Sequence, residues 1–205
     1  LNLFGSIHSL ADHIFGDRNV FRKLFGMALL LLPVSALAQV APAVNGHNLS
    51  LSAGAEYSNF RPDYGPNRLG GIGVFVDADR LFFRNLGAEG EARWLHFNQF
   101  EGETEANYLI GPRYRFVRYH GISAYGKFLM GGGFINYPNK IGSGSYFAYT
   151  PGGTVEYRLA RHWIVRGDYE YQFWPSAPGI VFTYPLPSSG LTPSGFSIGA
   201  AYKIF

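Results

Sequence analysis

Gly195-Phe196-Ser197-Ile198-Gly199-Ala200-Ala201-Tyr202-Lys203-Ile204-Phe205 closes the chain and decides how the rest is read. With a period of two, Phe196, Ile198, Ala200, Tyr202 and Ile204 share one face, and Ser197, Gly199, Ala201 and Lys203 share the other. The alternation runs to the final residue, so both faces of this strand are committed. One side suits an apolar surrounding, the other a crowded interior of small and polar groups.

The same alternation recurs upstream. Strands are expected near 48–60, 69–81, 86–97, 106–117, 121–137, 146–159, 163–174 and 195–205. Each is long enough to cross a bilayer at a tilt of about 45°, which takes ~9–11 residues. The segments 82–85, 118–120 and 160–162 are short, whereas 61–68, 98–105, 138–145 and 175–194 are longer and richer in Gly, Pro and Ser. Alternating short turns and long loops predict an all-β protein, an eight-stranded antiparallel up-and-down transmembrane β-barrel.

Composition agrees. The chain is 47% hydrophobic and 17% aromatic but only 15% charged, with 27 Gly, which suits strands better than helices. No apolar run is long enough for a spanning helix. Arg22 and Lys23 precede the apolar run Met27–Leu32, which leads through Pro33 to Ala36-Leu37-Ala38. A basic segment, a short apolar core and an Ala-x-Ala site predict a signal peptide over 1–38, a linker over 39–46 and the barrel over 47–205. Residues 1–20 make a long basic-end segment without an initiator Met, as an upstream or non-Met start would give. With no cysteine there is no disulfide framework or thiol chemistry. The formal charge of +3 drops by one when Asp12, Asp17, Arg18, Arg22 and Lys23 leave with the leader, and it carries no nucleic-acid footprint.

Within each strand the charges fall on one phase: Asp77 and Asp79; Glu89, Glu91 and Arg93; Arg113 and Arg115; Glu156 and Arg158; Arg166, Asp168 and Glu170. Glu56, Lys127 and Lys203 are the single charges of their strands. The opposite phase is free of charge, as in Ile72-Val74-Val76 and Trp163-Val165-Gly167-Tyr169-Tyr171-Phe173. In a membrane barrel the apolar face meets lipid and these charges form a nearly neutral lumen network. In a soluble lipocalin-like barrel the faces exchange roles, which is the alternative. Trp94, Tyr108, Phe116, Trp163, Tyr171 and Phe173 near strand ends predict aromatic girdles and favour the membrane.

The last strand resembles the C-terminal assembly signal of bacterial outer-membrane barrels, with Ser197, Gly199, Tyr202 and Ile204 in its slots and Phe205 one residue beyond the usual end. Residues 48–205 resemble the eight-stranded outer-membrane barrel family that includes the OmpA transmembrane domain and OmpX. The resemblance implies outer-membrane location, contact with lipid and lipopolysaccharide, delivery by the barrel-assembly machinery, and a monomer without cofactor. It further implies a structural or surface-interaction role through the external loops. The chain stops at the barrel, so a peptidoglycan-binding domain is not expected.

Chemistry-bearing patterns are sparse. Gly70-Gly71-Ile72-Gly73 and Gly131-Gly132-Gly133 fit no phosphate-binding fingerprint. Some small outer-membrane barrels modify lipid A with Ser and His, the enzymatic alternative. His96-Phe97-Asn98-Gln99 departs from the deacylase motif at the serine, and His47, His120 and His162 fall in the linker and turns. Asp77/Asp79 and Glu89/Glu91 read as lumen charges, and Glu101, Glu103 and Glu105 as a solvated acidic loop. No catalytic or metal residue is assigned. The loop 175–194 is the longest and least polar, which makes Phe182 and Tyr184 the candidate contacts for an extracellular ligand.

Overall fold

Eight strands pair in chain order and close on themselves: β1 (Ser50–Arg61), β2 (Leu69–Asp79), β3 (Leu86–Phe97), β4 (Thr104–Tyr119), β5 (Ile122–Asn136), β6 (Ser143–Arg158), β7 (Trp163–Tyr171) and β8 (Ser194–Lys203). The computed structural model describes residues 49–63, 66–81, 83–178 and 190–205. The expected signal peptide over 1–38 and linker over 39–46 lie outside the described residues. Every ladder is antiparallel, and β1 pairs with β8 from Ser52 opposite Lys203 to Arg61 opposite Ser194. Beyond that ladder the Leu51 N–H donates to the Phe205 carbonyl at 3.1 Å, and the Ile204 N–H to the Leu51 carbonyl at 2.8 Å. Closure removes the unpaired backbone edge, whose N–H and C=O groups would each cost several kcal/mol in hydrocarbon.

Facing decides between the two barrel alternatives. Ile72, Val74, Val76, Ile110, Val155, Phe196 and Ile198 are exposed, while Asp77, Glu89, Arg93, Arg113 and Arg166 are buried. A water-soluble barrel would need the reverse, so the lipocalin-like alternative falls. Aromatics gather towards both strand ends. Trp94 donates its Nε1–H to the Tyr108 hydroxyl at 2.9 Å and Tyr108 packs edge-on against Phe134; at the other end Trp163 packs edge-on against Tyr202.

Local sequence explains the hairpins. β4 and β5 join through His120-Gly121, with φ of 43° and 86°. Two successive positive φ values define the turn whose twist matches the flanking strands, and Gly121 takes the second without strain. β4 also carries a bulge: Arg115 pairs with Tyr125 but Val117 with Ala124, leaving Phe116 unopposed. One extra residue reverses the facing of all that follow. On the outer side, β6 extends past β7, and the chain after β7 turns in over the barrel mouth through the bridges Tyr149–Phe173 and Trp174–Leu191.

Candidate functional site

The lumen is filled by one continuous ionic network. Arg93 meets Glu170 at 3.0 Å and Glu56 at 3.4 Å, and contacts Glu91. Lys127 Nζ reaches Glu170 at 2.6 Å, Glu89 at 2.8 Å, Asp168 at 2.9 Å and Glu91 at 3.5 Å. Arg166 bridges Glu89 at 2.8 Å and Asp77 at 3.4 Å and contacts Asp168. Arg113 joins Asp77 at 2.7 Å to Asp79 and Glu89, each at 3.3 Å, and contacts Glu156. Desolvating such charges is expensive, and the arrangement offsets that cost by giving every cation several carboxylates.

Two features of this network were not expected. Each buried guanidinium also lies over an inward aromatic ring: Arg93 over Phe60 at 4.1 Å, Arg113 over Tyr125 at 3.7 Å and Arg166 over Phe75 at 3.8 Å. The apolar ring supports the flat face of the cation while its edge takes carboxylates. The second feature is the distribution of charge along the barrel. Glu56, Asp77, Asp79, Glu89, Glu91, Glu156, Asp168 and Glu170 surround only Arg93, Arg113, Lys127 and Arg166, two carboxylates for each cation. These carboxyl groups outnumber the cations they contact, and the nearly neutral balance expected from the sequence is reached only with Arg115, Arg158 and Lys203 counted in. Arg115, Arg158 and Lys203 stand at the inner mouth, where they line a cavity together with Asp79 and Glu156.

The outer half of the lumen is closed by apolar packing. Leu109, Leu129, Ile135, Tyr137, Ala148, Trp174, Ala177 and Leu191 form one buried cluster, and Phe60, Leu69 and Leu95 another. Trp174 donates to Gln172 Oε1 at 2.9 Å, so its polar edge is satisfied within the plug. The loops above are tied across the mouth. Asn139 N–H donates to the Glu101 carbonyl at 2.9 Å, Asp63 accepts from Thr192 N–H at 3.0 Å and from its hydroxyl at 2.7 Å, and Asn98 donates to the Arg68 carbonyl at 3.0 Å.

The acidic loop read as solvated is not. Glu101 is exposed, but Glu103 and Glu105 are buried. Burial pushes the Glu103 carboxyl up to about 7, since nothing near it compensates the lost hydration. Phe182 and Tyr184, the candidate contact residues, lie outside the described residues.

The remaining polar groups are structural in their contacts. Ser58 and Ser197 share a 2.8 Å hydrogen bond, and Thr154 donates to Asp168. His162 stacks on Tyr202 and sits 3.2 Å from the Lys203 carbonyl, His120 packs on Tyr119, and His96 packs on Phe97. Among the described residues no histidine is hydrogen-bonded to a hydroxyl or carboxylate, and no group of three His, Asp or Glu side chains is placed to hold a metal ion. Of the assembly-signal residues, Ser197 is buried, Gly199 lies opposite Glu56, and Tyr202, Ile204 and Phe205 are exposed.

Known proteins place this geometry. The major outer membrane protein of Thermus thermophilus shares 12% identity and a TM-score of 0.56, covering 77% of this chain and 100% of its own. Neisserial surface protein A shares 10% identity and a TM-score of 0.50, over 76% of this chain and 97% of its own. The attachment invasion locus protein of Yersinia pestis, solved with the heparin analogue sucrose octasulfate, shares 18% identity over 77% and 99%, with a TM-score of 0.47. No curated protein sequence matches. The family model described as outer membrane protein beta-barrel domain matches residues 27–203. The chain thus belongs to the outer membrane protein β-barrel domain family and is a protein of the bacterial outer membrane.

Proposed function

We propose that this barrel acts without catalysis, as a structural element of the outer membrane that meets ligands or surfaces through its external loops. One observation carries the reading: the lumen is occupied along its length by buried ion pairs and an apolar plug, while the loops above are cross-tied into one surface. Among the described residues, buried and mutually paired side chains leave no path for a solute, whereas cross-tied loops hold a recognition surface in one shape. The protein would work as a monomer embedded in outer-membrane lipid and lipopolysaccharide, having been inserted by the barrel-assembly machinery.

The test compares a strain lacking the protein with strains carrying the wild type or a variant whose residues 180–186 are a Gly/Ser linker. The null strain should lose envelope resistance to detergent or lose surface adhesion. The loop variant should restore the former and not the latter. An unchanged null strain, or turnover of labelled lipid A by the purified wild type, would overturn the reading.

A further inference from the structure

The inner mouth of the barrel combines three features that neither the closed lumen nor the external loops require. A cavity of about 410 Å³ opens there, lined by Arg80, Arg115, Arg118, Arg158 and Lys203. Its two side-chain carboxylates, Asp79 and Glu156, are both engaged by Arg113 below, and the terminal residue Phe205 also lines it. Among the described residues Arg118, Arg158 and Lys203 form no salt bridge, although Arg158, Arg80 and Arg118 act on Lys203 as like charges. Arg115 is held by the Arg84 carbonyl at 3.0 Å and Asn85 Oδ1 at 3.3 Å, bonds that fix its guanidinium without neutralising it. Deeper in the lumen the same chain gives each cation several carboxylates. Here Arg118, Arg158 and Lys203 have no carboxylate within salt-bridge distance among the described residues.

The bulge in β4 contributes directly. Strict alternation would put Arg118 on the opposite side of the sheet from Arg113 and Arg115. The extra residue at Phe116 turns it inward, so that Arg115 and Arg118 line the same cavity. A neighbouring groove of about 320 Å³ reaches the same cluster from the side. It is lined by Arg80, Arg84, Arg115 and Arg118 together with Phe116 and Val117, which are exposed on the outer wall.

We propose that this mouth is a binding site for a phosphate-class oxyanion carrying more than one negative charge. Guanidinium forks match tetrahedral oxyanions in geometry, and a ring of convergent cations favours a multivalent anion over chloride. Two sources supply that chemistry: a soluble phosphate entering the cavity along the barrel axis, and an anionic phospholipid headgroup entering the groove from the side.

The experiment titrates pyrophosphate calorimetrically into the folded full-length chain, in a neutral maltoside detergent at about 0.15 M salt so that diffuse attraction is screened. A second arm measures retention of phosphatidylglycerol against phosphatidylcholine by native mass spectrometry. Saturable binding in either arm should weaken at least about tenfold in R118Q/R158Q/K203Q, the loss of roughly one charge-assisted hydrogen bond, and stay unchanged in the turn variant R161Q. Binding in the first arm alone assigns a soluble anion, and in the second alone a lipid headgroup. If the triple variant does not fold, R158Q is used and must still weaken binding severalfold. No saturable binding in either arm, or equal binding in the variant, overturns the proposal.

Discussion

The indole of Trp174 lies directly on the bare Cα of Gly133, where an added Cβ would come within 2.6 Å of Cε2. The largest side chain of the outer plug thus depends on the smallest residue of β5. Gly133→Val should displace the ring and destabilise the barrel by about 1–3 kcal/mol, the usual cost of overpacking. The check is a lowered unfolding midpoint with tryptophan emission shifted to the red. Unchanged emission would mean that Trp174 is not seated there.

Facing separates two neighbours on β3. Ala92 pairs with Val74 and Tyr108 on the outer wall, while Glu91 contacts Arg93 inside. Ala92→Arg should cost about 2–4 kcal/mol near mid-bilayer. Glu91→Gln should cost less, because Arg93 keeps Glu170 and Glu56. Unfolding in lipid vesicles ranks the two, and the reverse order would contradict an apolar outer wall facing lipid.

Lys127 is the hub of the network, with four carboxylate partners. Lys127→Met leaves them facing one another in a desolvated lumen and should cost about 3–5 kcal/mol. The measurement is the temperature at which the folded band disappears on an unheated-to-boiled gel series. A variant as heat-resistant as the wild type would show the network to be dispensable.

Glu103 gives a pH dependence. Its carboxyl is raised from 4.5 to about 7 in the folded loop, so the folded state holds the proton more tightly than the unfolded one. Its contribution therefore favours the closed loop below about pH 4.5 and is lost as pH rises through about 7. Hydrogen exchange at the Glu103 amide, bonded to the Phe100 carbonyl at 3.0 Å, should show protection falling over that window and a flat profile in Glu103→Gln. A wild type already flat would refute the assignment.

The filled lumen should give no steady single-channel conductance in planar bilayers. Trp174, Arg93, Arg113 and Arg166 are all fully buried across its section. Stable conductance from the purified protein would show an open path.

Period two in the sequence says which face a residue takes, and that was enough for eight strands, their order and an outer wall free of charge. It does not say how deep along the axis a residue sits. Arg115, Arg158 and Lys203 share the phase of the lumen residues yet lie at the mouth, because depth depends on stagger between strands that no single strand records. The bulge at Phe116 hid Arg118 in the same way, by reversing phase within a strand. The inward rings of Phe60, Phe75 and Tyr125 were visible on the charged phase but invited no explanation until the guanidinium groups lay over them. The plug was least legible. Trp174, Ala177 and Leu191 follow or precede strands rather than belong to them, and only the folded-in connection brings them over Leu129 and Ile135.

The seam between β1 and β8 sets a kinetic problem that the other ladders avoid. Seven ladders join consecutive strands and can zip from their turns, with small loops to close at each step. The eighth brings Ser52 to Lys203 from opposite ends of the barrel sequence, so its loop-closure entropy cannot be met by local contacts. Until that last step both terminal strands expose a full row of backbone donors and acceptors, which is the state most open to mispairing with another chain. The rate at which Leu51 finds Ile204 and Phe205 is therefore expected to limit how long the half-built ring remains vulnerable.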